Sequence, residues 1–138
     1  MLTPDQKGSI AEMEIATAAV KLGIGVFKPL SDGHRYDLIF DLGERLARVQ
    51  CKWANRHGDV VIARCRSCRR TADGYLRRQY SADEVDVIAA YCADVDECYW
   101  LPIERFADQA AVYLRLGPPR TTSEPRSTGL KTSPSKLH

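Results

Sequence analysis

Residues 36–53 constrain the fold more tightly than any other stretch of the sequence. Leu38, Phe40 and Leu42 alternate with Asp37, Ile39 and Asp41. After Gly43-Glu44 the alternation resumes, with Ala47, Val49, Cys51 and Trp53 on one face and Arg48, Gln50 and Lys52 on the other. Period-two patterning on both sides of a glycine turn predicts an antiparallel hairpin of strands at Tyr36–Leu42 and Arg45–Trp53. A turn centred on Gly43-Glu44 places Asp37 opposite Gln50, each six residues from the turn.

The remaining elements follow from local signals. Thr3-Pro4 supplies a cap and a first-turn proline, Ala and Ile recur to Leu22, and Gly23 is a stop, so a helix opens the chain; Ser9 with Glu12 offers a second start. Val26–Pro29 reads as a short strand, Ser31–His34 as a turn, and Asp59–Cys65 as further β structure. Residues 66–80 are Arg-rich, have no clean period and contain Asp73-Gly74, which reads as an irregular excursion. Ser81 and Glu84 form a capping-box pattern that opens a helix to about Tyr91. Strand Tyr99–Leu101, helix Glu104–Ala110 and strand Val112–Leu116 follow. The expected class is α/β with a mixed, α+β-like sheet in the order α-β-β-β-α-β, a single domain over residues 1–117. Residues 118–138, rich in Pro, Ser, Thr, Lys and Arg, read as a disordered basic tail.

Composition narrows the class. The chain has 138 residues, 44% hydrophobic and 28% charged, which fits a globular protein. No run approaches the roughly 20 apolar residues of a membrane span, and the N-terminus has no secretory pattern. Five cysteines, an odd number in a chain large enough to hold a core, read as reduced thiols in a cytoplasm. The net charge of +2 hides a partition: residues 44–80 carry ten Lys and Arg against three Asp and Glu, between acidic flanks. A compact basic block suits a polyanion such as nucleic acid.

Three features point to chemistry. Glu12 falls on the opposite side of the first helix from the wet stripe of Lys7, Glu14, Thr17 and Lys21. An unpaired buried carboxylate is costly, so Glu12 needs a partner, a metal or a raised pKa, unless it closes a capping box with Ser9. Asp37 is a carboxylate early in a strand, which a solvent-facing acid would also explain. Gln50 and Lys52 share the polar face of the next strand, as an ordinary edge hairpin would also have them. Together the residues meet the needs of phosphodiester hydrolysis. A hard Mg²⁺ takes oxygen ligands, here from Asp37, Gln50 and Glu12, and Lys52 adds a point charge for a water or for developing negative charge.

The helix acid, Tyr36-Asp37, twelve intervening residues and Gln50-x-Lys52 resemble the PD-(D/E)XK nuclease superfamily. Lys7-Gly8 with Ala11-Glu12, Lys28-Pro29-Leu30, Arg35-Tyr36-Asp37-Leu38 and Val49-Gln50-Cys51-Lys52 resemble more narrowly its small bacterial endonucleases associated with group I introns. The resemblance spans residues 7 to about 102. It implies a restriction-endonuclease-like core and a metal-dependent endodeoxyribonuclease of the homing type. Asp37 would be the metal-binding acid, Glu12 the helix acid and Lys52 the catalytic lysine, with Mg²⁺ as cofactor and Mn²⁺ able to substitute. Gln50 stands where the superfamily has its middle acid, as it does in the intron-type subgroup. A neutral ligand weakens metal attraction, so a slower enzyme, one metal instead of two, or an inactive DNA-binding relative all stay open. A junction-resolving or repair nuclease is the alternative within enzymes.

The basic segment supplies the expected partner surface: Arg64, Arg66, Arg69, Arg70, Arg77 and Arg78, with Tyr75 and Tyr80 among them, suit contacts to double-stranded DNA. Because one centre cuts one strand, duplex cleavage implies a homodimer or a tetramer. Cys65-x-x-Cys68 with Cys92 and Cys98 is a poor zinc pattern, and buried thiols are the expected reading. His34 and His57 sit in turn-like contexts and read as surface residues, although His34 lies three residues before Asp37. Trp53 and Trp100 read as core or rim aromatics.

Overall fold

The first helix, α1 (Pro4–Lys21), begins where Thr3 caps it. The Thr3 hydroxyl accepts from the Gln6 N–H at 3.1 Å, the Gln6 side chain accepts from the Thr3 N–H at 2.9 Å, and Pro4 takes the first turn. Ser9 and Glu12 therefore lie inside the helix and do not start it. The helix ends in a Schellman arrangement: Gly23, at φ +80°, donates to Val20 O and Ile24 donates to Ala19 O. Ala11, Ile15, Ala18 and Ala19 form its buried stripe.

The computed structural model describes residues 1–71, 74–106, 109–116 and 130–132, with the side chains of all but 66–71, 74–79 and 130–132. After α1 come β1 (Gly25–Phe27), β2 (Leu38–Asp41), β3 (Leu46–His57), β4 (Val60–Arg64), β5 (Arg66–Thr71), β6 (Gly74–Gln79), β7 (Val87–Cys92), β8 (Glu97–Pro102), α2 (Ile103–Phe106), β9 (Ala111–Arg115) and β10 (Leu130–Thr132). One sheet has the order β1-β2-β3-β7-β8-β10, and the long β3 also pairs with β4, which pairs with β9. All these pairs are antiparallel except β3 with β7 and β8 with β10. The expected hairpin is present in the expected register, with Leu38 opposite Val49 and Asp41 opposite Leu46. Leu42 N–H donates to Arg45 O, and Gly43, at φ +86°, supplies the left-handed conformation that the turn requires.

The mixed α/β class holds, but the helix expected over Ser81–Tyr91 is corrected. Its capping signal makes a single turn, with Glu84 and Val85 both donating to Ser81 O and the Ser81 hydroxyl bonding Glu84 Oε1 at 3.2 Å. The chain then extends into β7, every residue of which is buried. A central strand parallel to one neighbour and covered on both faces reads as an unbroken apolar run, so it has no helical period to lose. The irregular reading of 66–80 is corrected too, because β5 and β6 form a two-stranded antiparallel ribbon with Arg66 opposite Gln79 and Thr71 opposite Gly74. Of the expected tail, residues 118–129 and 133–138 lie outside the described residues. Within it β10 runs beside β8.

Two cores flank the sheet. Under α1 lie Ile15, Leu38, Phe40, Val49, Cys51 and Tyr91; on the other face Val61, Tyr80, Ile88, Leu101, Phe106 and Leu114 pack together. Strand alternation puts Cys98 on the α1 face and Cys65 and Cys92 on the other, so these three thiols do not converge; the Cys68 side chain lies outside those described. Among the described residues no helix is long and apolar enough to cross a membrane.

Candidate active site

The site forms where β2 ends its pairing with β3. Leu38 is the last β2 residue on the ladder, and the chain just before it turns Asp37 onto β3. The Asp37 N–H donates to Val49 O at 2.8 Å, and its Oδ2 accepts from the Cys51 N–H at 2.9 Å. Asp37 is thereby tied to the residues on either side of Gln50, the position opposite which the sequence placed it. Burial pushes the Asp37 carboxyl above the ordinary carboxylate range, partly offset by the Cys51 N–H. The nearby charge of Glu12 adds to the rise, and Lys52 and Lys28 pull the other way. Asp37 thus feels the charges of Glu12, from α1, and of Lys52, from β3.

Glu12 borders the buried stripe of α1, its side chain 24% exposed, and is ion-paired and hydrogen-bonded to the exposed Lys28 ammonium. That bond raises the Lys28 pKa further above its ordinary value. The expectation that Glu12 needs a partner is met by a residue whose role the sequence did not reveal. Gln50 is half-buried, with its amide nitrogen 3.4 Å from Cys51 O. The Lys52 ammonium lies 4.9 Å from the centre of the Tyr80 ring. Arg48, on the same face, is clamped to Asp86 at 3.1 Å and donates to the carbonyls of Asp83 and Ala82, which fastens the turn before β7 to β3.

Tyr80 departs from its expected place among DNA-facing residues: it is 4% exposed, a member of the core. Of the expected DNA-contacting residues, Arg64 is exposed at the end of β4. The side chains of Arg66, Arg69, Arg70, Tyr75, Arg77 and Arg78 lie outside those described, although the backbone puts all six on the ribbon. His34 is exposed and stacks on Tyr36 at 5.2 Å. Trp53 packs edge-on to Tyr91 and Trp100 stacks on Phe40, as core or rim aromatics do.

Among the described residues no cluster of three or more His, Cys, Asp or Glu side chains could hold a metal ion. The donor set expected from the sequence, Asp37, Glu12 and the Gln50 amide, falls outside that class because its third oxygen belongs to an amide. Its chemistry fits one hard cation, all three donors being oxygens and two of them carboxylates.

A helix packed on a mixed sheet carries an acid at the start of one strand and Gln-x-Lys on the next, an α/β architecture with a nuclease-like residue pattern. A family model described as PD-(D/E)XK endonuclease matches residues 2–131, and the chain belongs to that family. Among solved structures, the bacterial homing endonuclease I-Ssp6803I is similar, with a TM-score of 0.73 and 27% identity over 91% of this chain and 86% of that one. No curated protein matches.

Proposed function

We propose that the protein is a Mg²⁺-dependent, site-specific endonuclease of the homing type that hydrolyses phosphodiester bonds in double-stranded DNA. The observation that carries this reading is Asp37, tied across Gln50 by its bonds to Val49 and Cys51 and electrostatically coupled to Glu12 and Lys52. Family membership and the similarity to a homing endonuclease support it.

In this reading Asp37, Gln50 and Glu12 hold the cation. A divalent ion there would neutralise the phosphate and lower the pKa of a water. Asp37 cannot drift, because its backbone and carboxylate are each bonded to β3, so one oxygen is fixed and the other remains for the site. Lys52 presents its ammonium to the attacking water or to the charge that grows on the phosphoryl oxygens in the transition state. Gln50 contributes an oxygen without charge, which reduces repulsion beside two carboxylates. Lys28 neutralises Glu12 in the free protein and would exchange that partner as the site fills. The β5–β6 ribbon and Arg64 bring positive charge to the duplex, and a major groove admits a two-stranded ribbon. Two strands need two centres, so the active species is a homodimer or a tetramer.

Asp37→Ala and Lys52→Ala, compared with the native chain for DNA affinity and strand scission, test the assignment. Loss of scission by about 100-fold or more with affinity preserved is expected. Native rates in both variants would place the chemistry elsewhere.

A further inference from the structure

Tyr80 is the first residue after β6, at the foot of the ribbon, yet its ring is buried in the core that packs beneath β3 and β7. Two cations meet that ring. The Arg35 guanidinium carbon lies 4.1 Å from its centre and the Lys52 ammonium nitrogen 4.9 Å. Arg35 is held in turn by Glu84, with Nε 3.0 Å from Oε2, and Glu84 is bonded to the Ser81 hydroxyl. Arg35 and Lys52 come from segments on either side of Asp37 and Gln50 and repel each other. The negative face of an aromatic ring attracts both, and the Glu84 carboxylate offsets part of the repulsion. A lysine has four rotatable bonds in its side chain, and contact with the ring narrows the positions its ammonium samples.

Resting on the nuclease reading above, we propose that Tyr80 is the positioning residue of the centre: its ring, which also holds Arg35, seats the Lys52 ammonium whose charge acts on Asp37. Tyr80 touches no substrate and acts through the two cations. Arg35 shares the ring with Lys52 and is tied through Glu84 to the turn at Ser81. Since Tyr80 follows directly on the ribbon, the seat of the lysine is joined covalently to the strand proposed to contact DNA.

The test uses the full chain with Tyr80→Phe, Tyr80→Leu, and fluorinated phenylalanines at the same position. Fluorination keeps the ring's size while draining negative charge from its face. Three quantities are measured: the dissociation constant for DNA in EDTA, the single-turnover cleavage rate in Mg²⁺, and the proton chemical shifts of the Lys52 ε-methylene, identified with Lys52→Ala. The ε-methylene should be moved upfield by the ring in the native chain and in Tyr80→Phe. Tyr80→Phe should recover most of the rate, and Tyr80→Leu or heavy fluorination should lower it roughly 10-fold while affinity changes less than about 2-fold. A rate in Tyr80→Leu equal to the native one, a rate indifferent to fluorination, or an unshifted Lys52 methylene in the native chain would overturn the proposal. A native chain that cuts no DNA would sink the nuclease reading separately, and the methylene shift would still decide whether Tyr80 seats the lysine.

Discussion

At the scale of single residues, burial gives Asp37 a charge that is costly to keep in the folded protein. Burial raises its pKa, so the folded state favours the protonated carboxyl, and its charged form costs stability at neutral pH. That cost is absent below the ordinary carboxylate range, where both folded and unfolded chains bind the proton. Asp37→Asn keeps an oxygen for the Cys51 N–H. It should stabilise the protein by about 0.5–2 kcal/mol at pH 7, with the gain vanishing near pH 3 and cleavage lost throughout. Thermal melts across pH beside a cleavage assay check this; a variant less stable than the native chain at pH 7 would contradict it. Mg²⁺ should raise the melting temperature of the native chain and not of Asp37→Asn. The opposition of Asp37 and Gln50 was legible in the sequence because turn geometry fixes a register. The Glu12 partner and the ring under Lys52 were not, since Lys28 and Tyr80 are brought in by the β1–β2 connection and by tertiary packing, which no local period encodes.

At the scale of elements, local chemistry identified α1 and the β2–β3 hairpin and misjudged β7. The capping signal at Ser81 and Glu84 is physically real, since both residues make the bonds such a signal demands, yet tertiary burial of Val85, Val87 and Ile88 ends the turn after one cycle. The β5–β6 ribbon was illegible for the opposite reason. Its sequence is polar with no clean period, and among the described residues it pairs with no other strand, so no hydrophobic alternation marks it. Thr3→Ala removes the α1 capping box and should cost about 1 kcal/mol in chemical denaturation, with catalysis unaffected. The clamp between Arg48 and Asp86 holds the turn before β7, and its hydrogen bonds to Arg48 lower the Asp86 pKa. Its contribution is therefore present above the ordinary carboxylate range and is lost as pH falls through the depressed folded value. Asp86→Asn should destabilise the fold by about 1–2 kcal/mol at pH 7, and the difference from the native chain should close in acid. On the ribbon, replacing Arg69 and Arg70 with Ala should weaken DNA binding and reduce the slope of log affinity against log salt by about 2. An unchanged slope would move the DNA surface off the ribbon.

At the scale of the whole molecule, the chain is a member of the PD-(D/E)XK endonuclease family. The family match runs to residue 131, well into the stretch that composition alone reads as a tail, and β10 adds a parallel strand beside β8. Low apolar content hides such a strand, because main-chain hydrogen bonds need no side-chain pattern. In the proposed function, Asp37, Gln50, Glu12 and Lys52 form one metal-dependent scission centre. The most direct measurement is scission of a supercoiled plasmid library by the purified protein in Mg²⁺ and in EDTA, beside Asp37→Ala. Cuts at a few discrete sites in Mg²⁺ that disappear in EDTA and in the variant are expected; cuts that persist in Asp37→Ala, or none on any plasmid in Mg²⁺, would overturn the assignment.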